Sequence, residues 1–180
     1  MDVNDIPNIS IDKSLNCMFN DDFRFYLAGC MEARLILYYM RDYLVTKFKS
    51  TCTSEWMDIG PCSLVDAAEH DYDCLEDSNI LIATFPTNFG TTSEIAYAIA
   101  KKIPVIYLID EPHLGDISSN SNETHFRVLP VGKLKKWRTF RDRPDKPAYP
   151  GYIAHNIEEL NQCFEFYIDY FNFENKNRIN

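Results

Sequence analysis

Glu94 and Asp71 are the residues of this chain whose types and positions could do chemistry. Glu94 closes the stretch Thr91-Thr92-Ser93-Glu94, directly after a polar turn, Pro86-Thr87-Asn88-Phe89-Gly90, that follows the apolar run 80–85. If that run is a buried strand, the turn opens at its carboxyl end, the edge where open α/β sheets take small molecules. Asp71 lies in a helical pattern, 64–76, in the same register as Leu64, Ala67, Ala68 and Leu75. A carboxylate in the apolar register is costly to bury unpaired, and solubility does not explain it. Because this helix precedes the same strand, it can bring Asp71 to the same edge from the other side. Two facing carboxylates suit bond exchange at a sugar's anomeric carbon, one attacking or steadying positive charge while the other manages a proton or an orientation. The plain alternative for Glu94 is a capping box with Thr91, worth about 1 kcal/mol and common in proteins without activity. Glu69 and Asp73 need only a solvated face.

The elements that must position this pair are legible around it. Ile80-Leu81-Ile82-Ala83-Thr84-Phe85 is too continuously apolar to be half exposed and reads as a central strand of a parallel sheet. The stretch 91–102 carries Ile95 and Ile99 at helical spacing, and Pro104 to Ile109 is a second buried strand, so the unit is β-α-β. A first strand, 23–28, is halted by Gly29, and a long helix over 31–48 follows with an apolar stripe of Leu35, Ile36, Tyr39, Met40, Tyr43 and Leu44. The loop 29–32 between them should open at the same edge as 86–90. A short strand at 51–53 continues the rhythm. Trp56 then sits in a loop, either as an anchor packed on the core or as an aromatic wall of a pocket. Beyond Asp110 come a polar loop (111–123), a candidate strand (126–129) and a basic stretch. The last helix spans about 157–171, capped by Asn156 with Glu159.

Length and composition fit one domain. The 180 residues are 46% hydrophobic and 14% aromatic, which is enough for a sizeable core. The expected organisation is a flexible N-terminal arm over 1–22, a domain over 23–172 and a frayed tail over 173–180. A net charge of -9 argues against coating a nucleic-acid polymer, although residues 133–146 hold seven basic side chains against two acidic ones. That segment is either a solvated excursion or a lid drawing in an anion. No stretch suggests a leader or a membrane span, so a cytoplasmic protein away from membranes is expected. Six scattered cysteines form no CxxC pair and read as buried small hydrophobes. His70 and Cys74 have i, i+4 spacing and could hold zinc with distant ligands, but two ligands are not a site, and no metal or cofactor is expected. The turn at 86–90 has one glycine and no following GK[ST]; the 27–30 stretch lacks the repeated glycines of a dinucleotide fingerprint; GxSxG is absent.

Three stretches together resemble the nucleoside 2-deoxyribosyltransferase-like superfamily, including its nucleoside 5'-monophosphate N-glycosidase relatives. They are Tyr26-Leu27-Ala28-Gly29, Asp71 with Leu75 and Ser78-Asn79-Ile80, and Gly90-Thr91-Thr92-Ser93-Glu94-Ile95-Ala96-Tyr97-Ala98 followed by Pro104-Val105. The resemblance covers about residues 23–110. It implies a three-layer, flavodoxin-like or Rossmann-like parallel sheet with helices on both faces. It also implies Glu94 as the nucleophile that takes the sugar and Asp71 as the residue that places the sugar or moves a proton. Substrate contacts would come from Tyr26, Gly29, Arg34 and Trp56 on one side and Asn88, Gly90 and Thr91 on the other. The implied partners are a nucleoside or nucleoside 5'-monophosphate, a free acceptor base and a second copy of the chain in a homodimer or larger homo-oligomer. Asn88 stands where the transferases often carry an aspartate near the base. The first loop, Gly29-Cys30-Met31-Glu32-Ala33-Arg34, departs from the Gly/Ser/Arg-rich loop of the phosphate-binding glycosidases. Hydrolysis in place of transfer, or a ligand sensor without turnover, are the rival readings.

Overall fold

The computed structural model describes residues 23–30, 33–58, 64–85, 87–109, 133–137 and 146–178. Among these residues, six parallel strands form one sheet in the order β2-β1-β3-β4-β6-β5, where β1 is Arg24–Ala28, β2 Thr51–Cys52, β3 Ile80–Thr84, β4 Val105–Leu108, β5 Lys135–Lys136 and β6 Gly151–Ala154. The strands β3, β4 and β6 are buried along their whole length, which is why their sequences show no alternation. Alternate residues instead feed two separate cores. Phe25, Leu27, Ile80, Ile82 and Ile106 face one cluster, built with helix α1 (Arg34–Phe48) and helix α4 (Ile157–Arg178). Tyr26, Ala28, Leu81, Ala83 and Tyr107 face the other, which includes Leu75 of helix α2 (Leu64–Glu76) and Ile95 and Ala98 of helix α3 (Phe89–Ala100). The result is a single-domain α/β protein with helices on both faces of a parallel sheet, as the sequence predicts. The strand order reverses at β1 and β3, and that switch point is the crevice where such sheets receive ligands.

Several expectations change in detail. The stripe of α1 is rotated: Leu37, Met40, Tyr43 and Leu44 are its buried residues, whereas Leu35 and Tyr39 face solvent. In α2, Leu75 is buried but Ala68 is exposed, and the side chains of Leu64 and Ala67 lie outside the described part. The last helix continues to Arg178 instead of ending at Phe171, so 173–178 is helical and not a frayed tail. Strands β5 and β6 were not foreseen. The basic stretch opens as the sheet's edge strand, with Lys135 and Lys136 exposed between the buried Leu134 and Trp137. Lysines on an edge strand discourage pairing with another sheet. Gly151, at the start of β6, has φ +147°, and a Cβ there would lie 1.8 Å from the Val105 carbonyl oxygen, so only glycine lets β6 close against β4. The arm 1–22, the candidate strand 126–129 and the residues Arg138, Arg141 and Arg143 lie outside the described residues. Among those described, no helix is long and apolar enough to cross a membrane.

Candidate active site

The middle of β1 sends the Tyr26 side chain into the α2/α3 side of the sheet, where the whole residue is buried. Its hydroxyl meets the Glu94 carboxylate, donating a hydrogen bond to Oε1 at 2.8 Å. The same hydroxyl lies within electrostatic reach of Asp71, which reaches the site from α2. One buried oxygen of Asp71, Oδ1, has no hydrogen-bond partner among the described residues. Tyr26, Asp71 and Glu94 therefore meet on the α2/α3 face of the sheet, brought together from three separate elements.

Burial decides the electrostatics. It pushes the Glu94 carboxyl up to about 7; the hydrogen bond from Tyr26 acts in the opposite direction, and the neighbouring Asp71 adds to the rise. Burial likewise raises the Asp71 carboxyl, opposed by His70 and by the Tyr26 hydroxyl. Burial, followed by the Glu94 and Asp71 charges, drives the Tyr26 phenol well above its ordinary value, so it remains a donor at any accessible pH. Glu94 is thus poised between its neutral and ionised forms near neutrality, which suits a group that must change charge or bond during a reaction.

The capping box is not formed. Helix α3 begins three residues earlier than that reading needs, with Asn88 as its N-cap: Asn88 Oδ1 accepts from the Thr91 N–H at 2.8 Å and from the Thr91 hydroxyl at 3.1 Å. Glu94 consequently stands beyond the first turn, where no free backbone N–H is available, and it turns inward to Tyr26. Asn88 spends its side-chain oxygen on the cap, and Thr91, with its hydroxyl so held, is buried. Gly90 lies exposed in the first helical turn.

The other expected contact residues have structural partners of their own. Gly29 allows close approach: a Cβ there would come within 2.7 Å of Leu37 Cδ1 and 2.8 Å of Thr84 Oγ1. Arg34 donates to the Tyr38 hydroxyl at 2.9 Å and to the Met57 carbonyl, bracing α1 against the turn Glu55–Met57. Trp56 donates from Nε1 to the Leu27 carbonyl at 2.9 Å and packs against both cores, which is the anchor reading of that residue. Ser54 receives the Leu27 N–H and donates back to its carbonyl at 3.1 Å, so this turn completes the outer edge of β1. Ser78 and Asn79 are structural too: Ser78 donates to the Cys74 carbonyl at 2.9 Å, and Asn79 Oδ1 accepts from the Arg24 N–H at 2.7 Å. The sequence reading did not single out Thr84, which ends β3 with a buried hydroxyl lacking a partner among the described residues. Its place inside an apolar run is the signal that could have marked it.

The fold and this cluster define a flavodoxin-like α/β protein with two partly buried carboxyl groups beside a buried tyrosine next to its switch point. No protein-family model and no curated protein matches the sequence. The structure is similar to that of a conserved protein from Enterococcus faecalis V583, with a TM-score of 0.56 and 16% identity over 79% of this chain and 97% of that one. It also overlaps a CMP N-glycosidase from Clostridium botulinum at a TM-score of 0.40 and 22% identity, over 49% of this chain and 72% of that one. At such identities the first likeness speaks for the fold alone, and the second is too slight to carry an argument.

Proposed function

We propose that this chain cleaves the N-glycosidic bond of a (deoxy)nucleoside through Glu94 and passes the sugar to an acceptor base. The observation that supports the reading is the part-buried Glu94–Tyr26 hydrogen bond with Asp71 beside it, next to the switch point at which sheets of this class take ligands. In this reaction the ionised Glu94 carboxylate attacks the anomeric carbon as the bond to the base breaks, and the bonding pair leaves with the base. Tyr26 holds the attacking group in place. Asp71 accepts a hydrogen bond from the sugar or passes a proton to the departing base. A second base then attacks the anomeric carbon from the face opposite Glu94, the Glu94–sugar bond breaks and its electron pair restores the carboxylate, so two inversions give net retention. Water in place of that base would give hydrolysis.

Incubation with deoxynucleosides, with and without a free second base, tests the reading by chromatography and intact-protein mass. A new nucleoside marks transfer, and free sugar alone marks hydrolysis. A gain of one sugar unit on the wild-type chain, absent in Glu94→Gln, is expected for either. Wild-type turnover by a folded Glu94→Gln chain would remove Glu94 as the nucleophile.

A further inference from the structure

Where α2 faces the turn Glu55–Met57, three side chains of different chemistry converge. Glu55, on the turn Glu55–Met57, places Oε2 2.9 Å from His70 Nε2. Cys74, one helical turn after His70, places Sγ 3.7 Å from the same nitrogen. All three donor atoms lie within 4.8 Å of one another. The sequence shows only the His70–Cys74 pair, because Glu55 comes from a separate turn.

A hydrogen bond between His70 and Glu55 joins two members, and Cys74, packed on its other side against the core that holds Tyr26, presents its sulfur to the same His70 nitrogen. An imidazole nitrogen has one in-plane direction for a hydrogen or a lone pair, so it cannot serve a carboxylate and a thiol well together. A cation in the middle satisfies all three at once. For a tetrahedral zinc with bonds of about 2.0 Å to nitrogen and about 2.3 Å to sulfur, the N···S edge is about 3.5 Å, close to the observed separation. The donor set, one thiolate, one imidazole and one carboxylate, suits a borderline-soft divalent ion and not magnesium or calcium, which take oxygen ligands. The His70 and Glu55 side chains are both solvent-accessible, which leaves an approach for the ion and room for a water in the fourth position.

We propose that Glu55, His70 and Cys74 form a zinc site that clips the turn Glu55–Met57 to helix α2. Both ends of the clip matter to the edge of the sheet. Trp56, next to Glu55, is fastened to the Leu27 carbonyl, and Asp71 follows His70 directly. The ion would thus fix the helix that carries Asp71 against the turn that seals β1. The inference stands apart from the proposed reaction, because it rests on a different set of side chains and its readout is metal binding.

The test uses the full chain, stripped with a chelator, reduced, and titrated with Co2+ and then Zn2+. One cobalt per chain should produce a near-ultraviolet thiolate-to-cobalt charge-transfer band, which zinc then abolishes, and zinc should raise the thermal midpoint. Cys74→Ser should remove the band and weaken zinc at least tenfold. His70→Gln, a change at an accessible side chain, should also weaken zinc at least tenfold while circular dichroism shows an intact fold. Absence of the band in the wild-type chain would overturn the site. So would a band and affinity that survive in both variants, since another cysteine would then hold the metal. Unchanged zinc affinity in Glu55→Gln would overturn the three-ligand assignment.

Discussion

A glutamate that is held out of water pays for its position in a way that pH reveals. The folded-state value of Glu94, about 7, lies above the ordinary 4.5, so ionisation is disfavoured in the fold relative to the unfolded chain. Its contribution to stability is therefore fully present below about 4.5 and lost as pH rises through about 7. Glu94→Gln keeps the shape and can still accept from Tyr26, but it has no charge to bury. The variant should match the wild type near pH 4 and be more stable above pH 8, by roughly 3 kcal/mol at most for a shift of this size. Thermal melts across that range check the sign; a variant less stable than wild type at pH 8 would show that burial of the charge is not the dominant effect. Activity should move the other way, with turnover at least ~100-fold lower, on the order of 3 kcal/mol in the barrier. Tyr26→Phe isolates the other half of the pair. Without the phenolic donor, ionised Glu94 loses its one partner of opposite effect, so the limb on which turnover rises with pH should shift to higher pH. A loss of rate at every pH with no shift of that limb would mean that Tyr26 serves packing alone.

At the level of elements, the start of α3 decides where Glu94 points. Asn88→Ala removes the acceptor for both the Thr91 N–H and the buried Thr91 hydroxyl, at a cost of roughly 2 kcal/mol. Asn88→Asp retains the acceptor and should restore most of that stability, as urea unfolding of the two variants would show. The unit β3-α3-β4 was legible in the sequence because its strands are buried on both faces and leave unbroken apolar runs. The start of its helix was not. Gly90, a poor helix former, concealed the first turn, and Asn88 outcompeted Thr91 as the cap, which moved Glu94 from the first turn to the second. In α1, apolar residues surround the helix from Leu35 to Met40, so the sequence could not set which of them face the sheet. Strand β6 is four residues long and is made a strand by β4 on one side and β5 on the other. No periodicity of its own could announce that. The carboxylates Glu94 and Asp71 could be picked out as a pair because one followed a ligand-side turn and the other broke an apolar register. The bond from Tyr26, 68 residues away from Glu94, exists only once the sheet has formed.

Over the whole molecule, charge bears on the choice between a nucleoside and its monophosphate. The chain carries -9, and its candidate site gathers Glu94 and Asp71 around a phenol that does not ionise. A dianionic phosphate approaching that edge would gain from cations, yet Arg34 is already engaged with Tyr38 and the Met57 carbonyl. The described lysines of the basic stretch, Lys133, Lys135, Lys136 and Lys146, are all exposed, where screening by water and salt leaves a single charge little hold on a ligand. The expected outcome is that an uncharged nucleoside is used at least as well as its 5'-monophosphate, with a specificity constant that changes little between low and moderate salt. Parallel assays of the two substrates at two ionic strengths check it. A monophosphate preferred tenfold or more, with a preference that falls as salt is added, would overturn this expectation and assign phosphate recognition to the arginines of the 138–145 stretch. Arg138, Arg141 and Arg143 would then be the substitutions to make, each expected to erase part of the salt dependence while leaving turnover of the nucleoside unchanged.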